Sequence, residues 1–304
     1  MHGNYLQHKR NLVMPVALVG GALFYKWMGY ITFLSPYLIF LMLFITYCRL
    51  SPRQIKPGKF DFHLLIIQLV LSGLVYGILF WTNHVVAEGV FICVFVPTAT
   101  AAPVITSMLG GDIKKVVTYS IICNLTIAVV GPVVLAAIGD GGEYTFGHSF
   151  VLILSEVAPL LLVPLLSAFA LQYVWPSLHE KVASPQQLSF YIWAISLFII
   201  VGGCVSFAIK TWTPEVTWLM LGLFVGAGVV CILQFYVGRK FGRKYGDAVA
   251  GGQALMQKNT VLAVWLALAY MNPIASVGPA AYILWQNIIN SWQIARHDSF
   301  QTAV

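Results

Sequence analysis

Long apolar runs follow one another along nearly the whole chain, divided by short polar or charged breaks. The pattern predicts ten membrane-spanning helices, over residues 12–28, 32–49, 62–83, 89–109, 114–138, 149–174, 189–209, 216–238, 246–270 and 274–295. The first two are the least clearly divided, parted only by Lys26 and Gly29-Tyr30. In two spans the polar residues fall at the centre, not at the ends. One is Pro97-Thr98-Ala99-Thr100-Ala101-Ala102-Pro103, in the middle of the fourth span. The other is Gly251-Gly252-Gln253-Ala254-Leu255-Met256-Gln257-Lys258-Asn259-Thr260, in the ninth. Five of those last ten residues are polar, and one is a lysine. A charge near the bilayer centre costs at least ~2.5–3.5 kcal/mol, so Lys258 calls for a reason.

The two breaks also organise the chain. Residues 1–140 and 141–304 each hold five predicted spans, and the fourth of each half is the interrupted one. A unit with an odd number of spans re-enters the membrane upside down when repeated. The expected fold is therefore all-α and polytopic: two inverted five-helix repeats, with discontinuous helices 4 and 9 crossing at the midplane. Pro97 and Pro103 lack a backbone N–H and clash with the preceding turn. Gly251 and Gly252 are expected to weaken the ninth helix by ~1 kcal/mol each relative to alanine. Unwound backbone inside a bilayer must face protein or a watery cavity, and so offers ligands. Half-helix N-termini offer partial positive charge to an anion.

Composition agrees with a membrane protein. The chain is 59% hydrophobic and 9% charged, against ~25% charged in soluble domains, and its mean hydropathy is +0.84. The net charge of +7 does not mark a nucleic-acid binder, because the basic residues sit at helix ends. With a cytoplasmic N-terminus, fourteen of the seventeen lysines and arginines lie on the cytoplasmic side. Lys26 and Lys210 lie opposite, and Lys258 lies within the membrane. That asymmetry fits an even number of spans, both termini cytoplasmic, in a plasma (inner) membrane. His8-Lys9-Arg10 and the apolar run after it read as the start of the first span and not as a cleaved leader. The five cysteines show neither metal spacing nor a disulfide framework and read as packing residues.

Few polar residues reach mid-membrane depth: Gln68, Thr98, Thr100, Thr106, Ser120, Asn124, Glu156, Gln253, Gln257, Lys258, Gln286, Asn287 and Asn290. A lone glutamine or asparagine between helices serves as readily for a structural hydrogen bond as for a ligand. Lys258 needs a counter-charge, a neutral form or water. Glu156 is the acidic candidate for a counter-charge or proton carrier, with Asp112 and Asp247 nearer the cytoplasmic end. No histidine lies near the breaks. Gly238-Arg239-Lys240 lacks the glycine spacing of a phosphate-binding loop, which argues against a primary pump. No cofactor is indicated.

At the two breaks the sequence resembles the bile acid:sodium symporter family. The family has a proline, small residues, Thr-Ala-Ser-Asn and a Gly-Asn/Asp turn where this chain has Pro97 to Pro103 and then Gly110-Gly111-Asp112. It has Glu-Val-Gly-Met-Gln-Asn-Ser where this chain has Gln253-Ala254-Leu255-Met256-Gln257-Lys258-Asn259. Gln68 matches a family glutamine, and Trp285-Gln286-Asn287 resembles a Trp-His-Asn. The resemblance implies a core of helices 3–5 and 8–10, a panel of helices 1, 2, 6 and 7, and an amphipathic organic anion bound between them. It points to Gln68, Thr98, Thr100, Ser120, Asn124, Gln253, Met256, Gln257, Lys258, Asn259 and Asn287 as substrate or ion ligands.

The departures carry the sharper expectation. The family's Ser-Asn sodium ligands fall on Ala102 and Pro103, and a serine ligand falls on Val116. Its acidic ligand is the neutral Gln253, and an asparagine is replaced by Lys258. What is left is a weak sodium site of Gln68, Gln253 and Gln257, with the Met256 carbonyl. The resemblance therefore implies a non-enzymatic secondary transporter of an organic anion, in which the Lys258 ammonium replaces the sodium charge. The alternatives are an intramembrane enzyme, for which only Ser155-Glu156 is suggestive, and a non-transporting membrane sensor on the same fold.

Overall fold

Apolar runs become helices and polar breaks end them. The structure, a computed structural model, describes residues 16–48 except Leu18, 56–138 except Thr100, 146–183, 186–210 and 213–301. Its helices are α1 (Tyr25–Ile31), α2 (Ser35–Tyr47), α3 (Lys59–Phe80), α4 (His84–Phe95), α5 (Ala102–Met108), α6 (Ile113–Ile138), α7 (Phe146–Val174), α8 (Pro176–Ala183), α9 (Gln186–Lys210), α10 (Pro214–Lys244), α11 (Ala248–Met256), α12 (Thr260–Tyr270) and α13 (Val277–Gln301). Four stretches are long and apolar enough to cross a membrane: Tyr25–Tyr47, Lys59–Phe80, Ile113–Ile138 and Val216–Lys244. Shorter apolar helices include His84–Phe95 and Thr260–Tyr270.

Helix α3 shows why a bilayer is needed. Phe62, Ile66, Val70, Leu74 and Ile78 recur every fourth residue and stay exposed. Asp61, Leu64, Leu65, Gln68, Ser72 and Val75 form its buried face. A continuous exposed apolar stripe is a liability in water and the natural outer face in lipid.

The divide drawn between residues 28 and 32 falls at a 3₁₀ turn, Thr32–Leu34, between α1 and α2. Gly21 lies against Phe198, Met28 against Gly202 and Thr32 against Gly203, while Ile45 shares a cluster with Ile192, so the chain reverses its direction along α9 there. One expectation needs correction: Gly251 and Gly252 do not break their helix, since both lie inside α11. Gly251 instead meets the backbone of Gly238 and Gly242 on α10, where a Cβ on any of the three would collide with main-chain atoms. Small residues four apart let membrane helices approach this closely.

The chain forms two compact units. The first joins Met1–Leu50 to Leu160–Val216, and the second joins Ser51–Pro159 to Thr217–Val304. Within the first, α9 packs along α1 and α2. Within the second, Val90, Cys93 and Val94 of α4, Ala227, Val230, Cys231 and Phe235 of α10, Met256 of α11 and Tyr282 of α13 share one buried cluster. The second unit carries both interrupted helices.

Candidate functional site

Pro97 has no N–H to give the carbonyl of Cys93, so α4 cannot continue past it; its last helical residue is Phe95. Thr98 then lies in a β-bridge, and Ala102 N turns back to Ala99 O at 3.1 Å where α5 starts. On the other side α11 ends at Met256, residues 257–259 are extended, and α12 starts at Thr260. The two segments meet as an antiparallel bridge between Thr98 and Lys258. Ala99 N donates to Gln257 O at 2.9 Å, and Asn259 N donates to Pro97 O at 2.9 Å. Both breaks are thus held by each other's main chain.

Buried backbone groups must be paired, so each helix end has to be accounted for. The Cys93 carbonyl, orphaned by Pro97, accepts from Gln234 Nε2 at 3.4 Å. The carbonyls of Phe95 and Val96 accept from Gln68 Nε2, at 2.9 and 3.1 Å. Gln68 Oε1 accepts in turn from the Tyr119 hydroxyl at 2.6 Å. In the second break Lys258 N turns away to Gln286 Oε1 at 3.2 Å, and the Thr98 hydroxyl reaches the freed Ala254 carbonyl at 2.8 Å. Met256 O accepts from the Tyr282 hydroxyl at 2.7 Å, and that hydroxyl is bonded to Gln234 Nε2 at 2.9 Å.

The helix starts are capped too. Asn83 accepts from Val86 N, Asp247 from Ala250 N and Asn259 from Leu262 N. The turn after each second half-helix ties onto the other broken helix. Asp112 N donates to Asp247 Oδ2 at 2.7 Å, and Asn272 N donates to Glu88 Oε2 at 3.0 Å.

What remains at the site is a set of buried side-chain atoms with no hydrogen-bond partner among the described residues: Lys258 Nζ, Gln257 Nε2, Asn259 Nδ2, Gln253 Oε1, Asn124 Oδ1 and Gln234 Oε1. Lys258 is only 1% exposed. The groups in electrostatic range of its amine are the thiols of Cys93 and Cys123. Asp112 and Asp247 are used at the turn between α5 and α11. The side chain of Glu156 and all of Thr100 lie outside the described residues.

The residues singled out from sequence therefore divide. Thr98, Gln253, Met256, Gln257, Lys258 and Asn259 come together at or beside the bridge. Gln68 joins them, but both ends of its amide are engaged, and the Met256 carbonyl is engaged by Tyr282. Gln253 Nε2 leans on Asn290 Oδ1 at 3.4 Å. Asn124 and Asn287 turn their amides back to carbonyls of their own helices, Ser120 O and Ile283 O, each at 2.7 Å. Ser120 contributes its carbonyl there, and among the described residues no hydrogen bond of its hydroxyl bears on the site.

Tyr119, Gln234 and Tyr282 were missed. Their signal was present: in each half a glutamine in the helix before the break is followed by a tyrosine in the helix after it, with an asparagine five residues further on, Asn124 or Asn287.

A sequence model of the SBF-like CPA transporter family matches residues 14–289, most of the 304-residue chain. No curated protein matches the chain in sequence. The match spans the interrupted helices and every residue of the bridge, and with it the chain belongs to the SBF-like CPA transporter family, the bile acid:sodium symporter-like family of membrane transporters.

Proposed function

We propose that this protein is a secondary transporter of an organic anion, that it works without sodium, and that the Lys258 ammonium stands where its relatives hold a mobile cation. The observation that carries this reading is a buried amine, without a partner among the described residues, at the meeting of two undone helices. An isolated charge there is costly, and an incoming anion relieves that cost. Gln257 Nε2 and Asn259 Nδ2 flank it in the chain and offer further donors. A sodium ion finds less to bind: Gln68 and the Met256 carbonyl are already committed, and Gln253 carries no charge.

The proposed architecture is ten spans in two inverted repeats. It is supported by the paired devices around the breaks: the Asn83 and Asp247 caps, the Gln68–Tyr119 and Gln234–Tyr282 pairs, and the two reciprocal turn contacts. The reading takes α3–α6 and α10–α13, which lie in the second compact unit, as the core, and the helices of the first unit as part of the panel.

Uptake by proteoliposomes, with and without an inward sodium gradient, tests the reading. Equal uptake in both conditions and its loss in Lys258→Ala are expected. Strong sodium dependence that survives Lys258→Ala would refute it.

A further inference from the structure

The bridge sets an amine where no described residue gives it a counter-charge. Each neighbouring element presents groups that are neutral in their ordinary forms. Helix α4 brings Cys93, α6 brings Cys123 and Tyr119, and α3 brings Gln68. Helix α10 brings Gln234 and Cys231, and α13 brings Tyr282 and Gln286. Among the described residues no carboxylate reaches the amine.

An ammonium in such a setting loses its hydration and gains nothing back, at a cost of several kcal/mol. A bound anion restores most of that loss. Proton affinity and anion affinity are then linked, each raising the other by the same factor.

We propose, resting on the carrier reading above, that Lys258 gains one proton with each monoanion bound at the bridge and releases it when the anion leaves. The empty site holds a neutral amine. A proton from water bonds to the Nζ lone pair, the single negative charge of the substrate pairs with it, and the loaded site is neutral again. On the far side the anion departs and the N–H bond yields its proton to water. One proton and one monoanion cross together, and no net charge moves. The same balance selects the substrate: a dianion would leave the loaded site negative, and an uncharged molecule would gain no ion pair from the amine. Unpartnered donors on Gln257 and Asn259 suit the oxygens of a carboxylate or sulfonate.

The test uses proteoliposomes holding a trapped pH dye. Taurocholate, benzenesulfonate and pyruvate serve as probes; the two sulfonates cannot leak across as neutral acids. At least one is expected to enter with one proton per anion. Its rate should rise up to about tenfold per unit of external acidification and ignore an imposed membrane potential. Lys258→Arg, whose charge is permanent, should take up the anion without acidification and respond to inside-positive potential. Glu156→Gln should keep the coupling. Size-exclusion profiles establish that each variant is folded, and if Lys258→Arg is not, the stoichiometry of the unaltered protein decides. Uptake without proton movement overturns the coupling and leaves the carrier reading standing. Proton movement that persists in Lys258→Arg, or that vanishes in Glu156→Gln, also overturns it. Entry of none of the three probes overturns both.

Discussion

Replacing Gln68 with leucine tests whether the first broken helix is held by a side-chain cap. The two residues are similar in size, so the change removes hydrogen bonds with little change in packing. Gln68 Nε2 serves two carbonyls, those of Phe95 and Val96, and its Oε1 serves the Tyr119 hydroxyl. Gln68→Leu leaves all three without that partner, in a helix end that is fully buried. At ~0.6 kcal/mol each, the average for interhelical bonds in a membrane, the loss is about 2 kcal/mol. At ~1–3 kcal/mol each, the cost of an orphaned buried group, it rises to about 3–9 kcal/mol.

Even the lower figure corresponds to a fall in melting temperature of about 3 °C. Tryptophan fluorescence of the detergent-solubilised protein reads it directly. The double variant Gln68→Leu/Tyr119→Phe supplies the internal check. It removes the stranded hydroxyl, so it should melt above Gln68→Leu alone, by about 0.6–2 kcal/mol in stability. If Gln68→Leu melts with the unaltered protein, or the double variant shows only the sum of its two single changes, Gln68 is not the cap that its geometry describes.

Tyr282→Phe should cost about 1–3 kcal/mol, because Met256 O and Gln234 both lose a partner, whereas Tyr119→Phe leaves Gln68 Oε1 with the Cys123 thiol at 3.6 Å and should cost less; the two melting temperatures decide. Gly251→Leu should give aggregated protein on size exclusion, since its side chain enters the backbone of Gly238 and Gly242, while Gly246→Ala, at a left-handed turn with open space around it, should stay folded at a cost of about 1 kcal/mol. Lys258→Met should raise the melting point, by about 1–3 kcal/mol in stability, and abolish anion uptake, which separates a residue kept for function from one kept for folding. Asp247→Ala should lower stability by about 1–2 kcal/mol, as the Ala250 cap and the tie to Asp112 go together, and faster amide exchange at the start of α11 reports it.

Some of this was legible in the sequence because the chemistry is local. Pro97 announces a missing N–H whatever surrounds it, and Lys258 is conspicuous in any apolar run. Position along the second break was harder. Gly251-Gly252 reads as a helix-weakening pair, yet the helix continues through it, because those glycines exist for the neighbouring Gly238 and Gly242. A glycine reports that something comes close, and the sequence does not say what.

Ligand and scaffold were the least separable. A glutamine inside an apolar run looks the same whether its amide is spent or free, since the difference lies in what other helices bring to it. Counting bonds resolves this. Gln68, Thr98 and Tyr282 supply donors that the interrupted helices lack, and removing any of them strands a carbonyl. They answer a need created by Pro97 and by the turning away of Lys258 N, which would exist in a protein that carried nothing. Lys258 Nζ, Gln257 Nε2 and Asn259 Nδ2 answer no such need within the described residues. Burying unsatisfied donors is costly, and in the proposed transporter an incoming anion relieves that cost. On that proposal the cargo lies on the 257–259 side of the bridge, and Thr98, bonded to the Ala254 carbonyl, holds the opposite strand in register.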